Sequence, residues 1–458
     1  MLFVSINSPK DLQSIPAQVD GVELRLDLCH LTDLPFLANL IKNSSHPLML
    51  TLRSVSHGGK FQGSEKEKES YIEEILKLEP AFCDLEYDMR QDFIEKMLQN
   101  FPKTKFVLSY HNFEEVPSHL ETIYQCMAKH PAYTYKIAVM PYSTNEALRA
   151  LLFARKQKRI SLICMGDKGS FARILGPINK NIIDFASISK ESETAPGQIS
   201  LHDFMEIYRY PILNAETALY GLIGDPVVHS QGHIHHNGVF KKRQLNALYI
   251  KMALKEDELS DFFLLAKEIG FSGLSVTMPL KEKVLPLLDT IDPKAEQIGA
   301  VNTLLFKNGK IFGTNTDGVG ALDALETRGS VFGKTIVILG AGGAGKAIAF
   351  EAKYRGAFLI ILNRTIDTAY ELSKAIKCDF GSLSDIPNSY DILINCSSSP
   401  MPIDPNKILP KSLVMDIVYF PKKTPFLEKA SELGCNIVYG DEMFFNQAAA
   451  QTNLWINS

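Results

Sequence analysis

The sequence predicts an α/β protein in two halves: an N-terminal (β/α)8 barrel, then a second α/β half built around a dinucleotide-binding unit. Three observations predict it. Residues 1–210 alternate short β-rich runs with longer amphipathic stretches, through eight strands. Residues 189–217 break that rhythm with a Pro-Gly turn, one last helix and a Pro/Asn-containing linker. The run 334–365 then reads strand, Gly-rich turn, helix, strand, the order of a nucleotide-binding βαβ unit.

The strands are expected at "LFVSI" (2–6), "GVELRLD" (21–27), "PLMLTLR" (47–53), "FCDLEYD" (82–88), "KFVLSYH" (105–111), "YTYKIAV" (133–139), "ISLICM" (160–165) and "NIIDFASI" (181–188). Helical spacing fills most gaps, as in "SEKEKESYIEEILKLE" (64–79) and "STNEALRALLFARKQK" (143–158). Such repeats close into a barrel or open into a doubly wound sheet. No Gly-rich phosphate loop follows the first strand, which favours the barrel.

Ser5, Glu23, Arg25, Arg53, His111 and Lys136 lie towards the C-terminal ends of these strands. Each alone reads as a surface polar group. Together, on different strands of a barrel, they converge on one mouth, where such barrels hold their active sites. Lys136 is the most informative, because it sits inside the strand "YTYKIAVM". By period-two alternation Thr134, Lys136 and Ala138 share the small face that looks into the barrel, opposite Tyr135, Ile137 and Val139. A desolvated lysine loses proton affinity and becomes a nucleophilic amine, suited to a Schiff base with a ketone. The structural alternative is a lysine that snorkels to the rim.

The bulk composition excludes several classes. Hydrophobic residues make up 45%, charged residues 22%, and the net charge is −4, so neither nucleic acid nor an anionic membrane is an expected partner. The seven cysteines form no CxxC pair and read as reduced thiols. No apolar run approaches the roughly 20 residues of a membrane span. The start "MLFVSINSPKDL" has neither a basic n-region nor an Arg/Ser-rich leader, so a cytoplasmic protein is expected. The stretch "HSQGHIHH" (229–236) places His229, His233, His235 and His236 at spacings that could put imidazoles on one helix face. No nearby acid or cysteine cluster completes a ligand set, so no metal is expected.

In the second half Gly340, Gly342 and Gly345 fit G-x-G-x-x-G within "GAGGAG", adding Ala341, Gly343 and Ala344 to a phosphate-binding turn. Its glycines permit a tight turn and close pyrophosphate approach at a helix N-terminus. The next strand ends Asn363, Arg364, Thr365, without the acid that grips the ribose hydroxyls of NAD. A guanidinium suits a 2′-phosphate, so NADP is the expected cofactor; the bland alternative is a surface arginine after a strand.

On these motifs residues 1 to about 210 resemble type I 3-dehydroquinate dehydratases, and residues from about 218 onward resemble shikimate dehydrogenases. The order matches the fused bifunctional enzymes of the shikimate pathway. The resemblance implies an imine-forming Lys136 in "KIAVMP" and a general base and acid, His111, in "SYHNF". It also implies that Ser5, Glu23, Arg25, Arg53, Arg173 of "GSFARILG", and Thr194 and Gln198 of "TAPGQ" hold the substrate's hydroxyls and carboxylate. One departure stands out. The family has a Glu before the "GG" after the Arg53 strand, where it helps orient the catalytic histidine; this chain has His57 in "SVSHGG".

In the second half "GLIGDPVVHSQGHIHHN" is similar to the family's shikimate-binding loop and implies Ser230 as a substrate contact. Gly232 and His233 stand where the family has a second Ser and a Pro. "SVTMPLKEKV" resembles N-V-T-x-P-x-K, with Ser275 in place of the Asn, and implies Ser275, Thr277 and Lys281. The same resemblance implies Asn302, Asp317, Tyr419 and Gln447 on the substrate side, with Ile417 and Gly440 lining the nicotinamide side. Lys281 and Asp317 are the implied catalytic pair; the structural alternative is an ordinary salt bridge.

The motif order implies a two-lobed unit. A shikimate-binding α/β domain at 218–324, completed by 439–458, surrounds a Rossmann NADP domain at 325–438, and the dehydratase barrel occupies 1–210. Rival readings are a quinate- or shikimate-oxidising dehydrogenase fused to a dehydratase, a metabolite-binding protein on the same scaffold, and a class I aldolase-like barrel.

Overall fold

Each β-rich run of the first half forms a strand: β1 (Leu2–Ile6), β2 (Gly21–Arg25), β3 (Leu48–Thr51), β4 (Phe82–Glu86), β5 (Lys105–His111), β6 (Thr134–Val139), β7 (Ile160–Cys164) and β8 (Asp184–Ser187). The computed structural model describes residues 1–29, 31 and 33–457. A short β9 (Ile199–Ser200) pairs with β8. The strand order is β7-β6-β5-β4-β3-β2-β1-β8-β9, with each strand parallel to its neighbour. The seam between β7 and β8 is bridged by Ile182 N donating to Ile160 O at 3.0 Å, and by the Asn181 side chain on both backbone groups of Leu162. Strands β1 to β8 of this sheet therefore curl into the expected barrel.

Alternation along the strands builds the barrel interior in layers. Phe3, Met49, Phe82, Val107, Ala138, Ile163 and Phe185 form one buried apolar cluster. Two residues further along the same faces come Ser5, Thr51, Asp84 and Ser109. The apolar floor thus supports a polar layer nearer the strands' C-terminal ends. Helices between strands start where side chains cap them. Ser64 and Glu67 form a capping box for Glu65–Leu76, and the Ser143 hydroxyl accepts from Glu146 N at the start of Thr144–Arg155. Each such cap contributes about 1 kcal/mol.

By compactness the chain divides into two units: Met1–Ala218 with Phe240–Leu254 and Asp261–Gly270, and Leu219–Val239 with Lys255–Ser260 and Phe271–Ser458. β10 (Ala218–Gly224) runs into the second unit, while β11 (Ala247–Ala253) belongs to the first. In the second unit β10 continues through β12 (Phe271–Val276), β14 (Thr303–Lys307) and β15 (Lys310–Thr314) to β13 (Thr290–Ile291) as one mixed sheet.

The other sheet of that unit has β16 (Thr335–Leu339), β17 (Phe358–Leu362), β18 (Asp379–Gly381), β19 (Ile392–Asn395), β20 (Leu413–Asp416) and β21 (Asn436–Val438) in the order β18-β17-β16-β19-β20-β21. All its pairs are parallel. In chain order that is the Rossmann arrangement, with its switch point between β16 and β19. The strands are apolar on both faces because a core cluster lies on each side. The last helix, Gly440–Ile456, crosses Asp317–Glu326 at Gly320, where a Cβ would fall 2.7 Å from Gln447 N. Among the described residues no helix is long and apolar enough to cross a membrane.

Candidate active sites

In the barrel one cavity is lined by all nine residues singled out for that half: Ser5, Glu23, Arg25, Arg53, His111, Lys136, Arg173, Thr194 and Gln198. Parallel register puts Ser5 beside Glu23 and Ser109 beside Lys136. Lys136 is 7% exposed. Its Nζ lies 3.4 Å from Glu23 Oε1, 3.9 Å from Asp84 Oδ2 and 3.9 Å from the centre of the Phe185 ring. Burial lowers its proton affinity; Glu23 and Asp84 oppose this without cancelling it. Burial also pushes the Glu23 carboxyl up, but Lys136, Arg25 and the Ser5 hydroxyl outweigh it and hold the group below its ordinary range. Ser5 donates to Glu23 at 2.6 Å and Thr51 donates to the same carboxylate at 3.0 Å, while Gln198 donates to Ser5 and accepts from Thr194 N.

The arginines are not equivalent. Arg25 makes two bonds to Asp27, at 2.9 and 2.8 Å. Arg53 donates to Asp84 at 2.7 Å and lies 3.6 Å from Glu86. Arg173 is 3% exposed and donates to the carbonyls of Cys164 and Pro196. Among the described residues no carboxylate pairs with Arg173, and burial lowers its pKa to about 10. His111 is pushed well below the ordinary imidazole range, by burial first and then by Arg53, Lys136, His57 and Arg25. It can therefore be a neutral base at physiological pH.

In the second unit Lys281 pairs with Asp317, the first residue of the helix Asp317–Glu326. Asn302 Nδ2 donates to Asp317 Oδ1 at 2.8 Å and reaches Gln447 Oε1 at 3.4 Å. Lys281, Asp317, Asn302 and Gln447 thus form one connected polar group. Ser275 is buried and donates to Gln451 Oε1 at 2.9 Å; Thr277 follows at the end of β12. The Ser230 hydroxyl accepts from Gly232 N at 3.2 Å. Tyr419 stacks on Phe444 and reaches His229 O at 3.5 Å, while Ile417 and Gly440 lie close enough that a Gly440 Cβ would fall 2.7 Å from Ile417 O.

The histidine run is built into aromatic packing. His229 stacks on Phe420, His235 meets Phe444 and Phe445, and His236 lies against Trp455 with Nδ1 2.9 Å from Thr452 Oγ1. Burial holds His236 neutral, with its pKa lowered to about 3. Elsewhere His57, Glu86 and Asp88 bring ligand-type atoms within 4.8 Å of one another. Glu86 is already paired with Arg53 and Lys68, which places two cations beside it.

The Gly-rich turn fits a dinucleotide. Gly340 follows β16 with φ +111°, and a Cβ on Gly345 would lie 2.1 Å from Gly340 O. Gly342 caps the helix Gly343–Tyr354 without a side-chain bond, and a Cβ there would meet nothing within 4 Å, leaving the backbone approachable. Ala341 is buried in the turn, and Ala344 lies in the first turn of that helix. A Cβ on Gly343 would stand 3.8 Å from Lys281 Cδ, so the turn adjoins the Lys281–Asp317 pair. Asn363 Oδ1 accepts from Ala341 N at 3.3 Å, while Arg364 and Thr365 are exposed beyond β17.

Sequence reasoning did not single out Asp84 and Glu86, which carry the ionic network of the barrel mouth, nor Lys68, Asp88 and Gln451. The signal was present for the acids: "FCDLEYD" has a carboxylate at every second position from Asp84 to Asp88.

Residues 7–214 match the family of type I 3-dehydroquinase, 222–304 the shikimate dehydrogenase substrate binding domain, and 323–418 the family of shikimate / quinate 5-dehydrogenase. The shikimate biosynthesis protein AroDE of Chlamydia pneumoniae is 38% identical over 444 residues, spanning 95% of this chain and 90% of that protein. The chloroplastic bifunctional 3-dehydroquinate dehydratase/shikimate dehydrogenase of Arabidopsis thaliana is 33% identical over 468 residues, spanning 95% of this chain and 77% of that one. The second half is similar to the shikimate 5-dehydrogenase of Thermus thermophilus solved with NADP(H) and shikimate: TM-score 0.51, 30% identity, 53% of this chain and 94% of that one. With these matches spanning both halves in order, the chain belongs to the fused family of type I 3-dehydroquinate dehydratases and shikimate dehydrogenases.

Proposed function

We propose that the barrel dehydrates 3-dehydroquinate to 3-dehydroshikimate at Lys136 and His111, and that the second unit reduces this product to shikimate with NADPH at Lys281 and Asp317. The observation that carries the first reaction is the convergence of eight polar residues around a buried lysine of lowered proton affinity. The Lys136 amine adds to the substrate ketone and water leaves, giving a protonated imine whose charge Glu23 and Asp84 stabilise. His111 takes the proton from the adjacent carbon, the electron pair moving into an enamine. The β-hydroxyl then leaves as water with that proton, and hydrolysis of the imine returns Lys136. Arg173, buried and without a paired carboxylate among the described residues, takes the substrate carboxylate. Ser5, Glu23, Arg25, Arg53, Thr194 and Gln198 hold its hydroxyls and the geometry around them.

In the second unit the Gly340–Gly345 turn holds the pyrophosphate, Asn363 to Thr365 hold the adenosine end with Arg364 on a 2′-phosphate, and Ile417 and Gly440 line the nicotinamide. When bound, NADPH supplies the hydride. Lys281, held by Asp317, delivers the proton to the reacting carbonyl oxygen. Asn302 and Gln447 fix Asp317 and the ring hydroxyls, while Ser230, Ser275, Thr277 and Tyr419 hold the rest of the substrate. We further propose three domains: a barrel at 1–210, a shikimate domain at 218–324 completed by 439–458, and an NADP domain at 325–438. The seven free cysteines suit a reducing, cytoplasmic setting.

A coupled assay tests the whole reading. With dehydroquinate and NADPH the enzyme consumes NADPH. Lys136→Ala stops this unless dehydroshikimate is added, and Lys281→Met stops it with either substrate. Undiminished consumption by Lys136→Ala from dehydroquinate would overturn the assignment.

A further inference from the structure

The barrel mouth holds a pair of groups that the steps above leave unused. His57, on the turn Val55–His57, is 5% exposed and lines the cavity beside His111. Its Nε2 lies 3.0 Å from Asp88 Oδ2. Its ring meets the His111 ring edge to face, with centroids 5.6 Å apart and planes at 83°. Among the described residues, Nδ1 of His57 and Nδ1 of His111 are both buried without a hydrogen-bond partner. On its other side His111 stacks on Phe113, which offers no donor or acceptor.

We propose that Asp88 and His57 form a dyad that positions His111 as the base of the dehydratase, in place of a carboxylate bonded to it directly. The inference rests on the reading of His111 as that base. A carboxylate on Nε2–H leaves the lone pair of a neutral His57 on Nδ1. That nitrogen accepts the Nδ1–H of His111, after a small ring rotation or across one water, and both buried orphans are then satisfied. His111 keeps its Nε2 lone pair for the substrate carbon acid, in the tautomer the reaction needs.

The charges around the pair agree with this role. His111 faces Arg53, Lys136 and Arg25, all of which lower its proton affinity. His57 faces Asp88 and Glu86 from the β4 segment and His111 from β5, with Lys68 on the helix Glu65–Leu76 bonded to Glu86. Glu86 is committed to Arg53 and Lys68, so Asp88 is the carboxylate left to act through His57. The hydrogen bond from His57, ahead of every other influence, holds the Asp88 carboxyl below its ordinary range.

The test uses the full-length enzyme, with dehydratase kcat and KM measured against pH. His57→Ala and Asp88→Asn are expected to lower kcat by roughly 10–100-fold, as for loss of a partner behind a working group, with KM within a few-fold. Asp88→Asn moves the acid limb of kcat to lower pH, because an anion behind the relay has gone. His57→Glu restores most of the rate. Borohydride trapping of the imine and dehydrogenase activity persist in each variant, which separates the effect from misfolding. In a His111→Ala background His57→Ala adds little, where a merely structural role would act independently.

Rates within twofold of the parent and an unmoved pH profile for His57→Ala and Asp88→Asn would overturn the dyad. A rate lost on dialysis against EDTA and restored by zinc would also overturn it, by assigning the same residues to a metal. Full activity in His111→Ala alone would instead sink the reading of His111 as the base, so the two failures are distinguishable.

Discussion

Lys136 in the barrel and Lys281 in the second unit both face carboxylates, yet in different surroundings. Lys136 sits at 3.4 and 3.9 Å from its two acids, over an aromatic ring, with its side chain 9% exposed. Lys281 is paired closely with Asp317 and is 21% exposed. A buried amine with loosely placed acids can shed its proton and attack a carbonyl, because desolvation favours the neutral form. A partly exposed lysine gripped by one acid is better suited to passing a proton and being recharged. In the proposed roles the same residue type would serve covalent chemistry in one place and proton delivery in the other, and packing would make the difference.

The largest expected effect breaks that comparison directly. Lys136→Ala should abolish borohydride trapping and reduce dehydratase turnover below detection, while the dehydrogenase keeps its rate. Next comes the proton-transfer pair. Asp317→Asn should lower dehydrogenase kcat by about 10²–10⁴-fold, the span for a lost acid–base group, with imine trapping in the barrel untouched. If Asp317→Asn also abolishes trapping, the two sites are not chemically separate and the contrast fails.

A smaller effect sharpens the contrast among the arginines. Arg25 and Arg53 have carboxylates within the protein, and Arg173 has none among the described residues. Arg173→Met should remove a charge-assisted bond to the substrate carboxylate, costing about 1.5–3 kcal/mol and appearing mainly in KM. Arg364→Gln should act on the same scale in the second unit, raising KM for NADPH and leaving that for NADH nearly unchanged. A variant equally impaired with both cofactors would show that Arg364 does not read a 2′-phosphate.

These contrasts also separate what the sequence made legible from what it hid. The Gly340–Gly345 turn was readable because its requirements are local: a positive φ at Gly340 and no room for a Cβ at Gly345. Lys136 was readable because a charge inside an apolar strand needs a reason. Asp317 rested on family resemblance, since its partner Lys281 lies 36 positions away. Lys68 was hidden for a different cause. It belongs to a charge-rich stretch that reads as a solvated helix face, yet its side chain is 5% exposed and bonded to Glu86. No periodicity of the helix reports a partner supplied by a strand.

The smallest expected effect concerns Ser275, which stands where the family motif has Asn. The structure joins it to a partner that only the fold brings near: Gln451, one helical turn after Gln447, accepts from Ser275 Oγ. The Gln451 amide in turn donates to Asn302 O and Thr303 Oγ1, both at 3.0 Å. One side chain from the last helix therefore ties β12 to the strand that carries Asn302 into the Asp317 group. Ser275→Ala removes one of the donors to the buried Gln451 carbonyl, which His236 also meets, a loss of about 0.5–1.5 kcal/mol. Unfolding of this chain need not be two-state, so the readout is the urea concentration at which each activity disappears. The dehydrogenase midpoint should fall and the dehydratase midpoint stay. Gln451→Leu should lower the same midpoint further, because it strips Asn302 and Thr303 of their donor as well, and combining it with Ser275→Ala should add nothing. Additive losses would mean that Ser275 stabilises the sheet by some route other than Gln451.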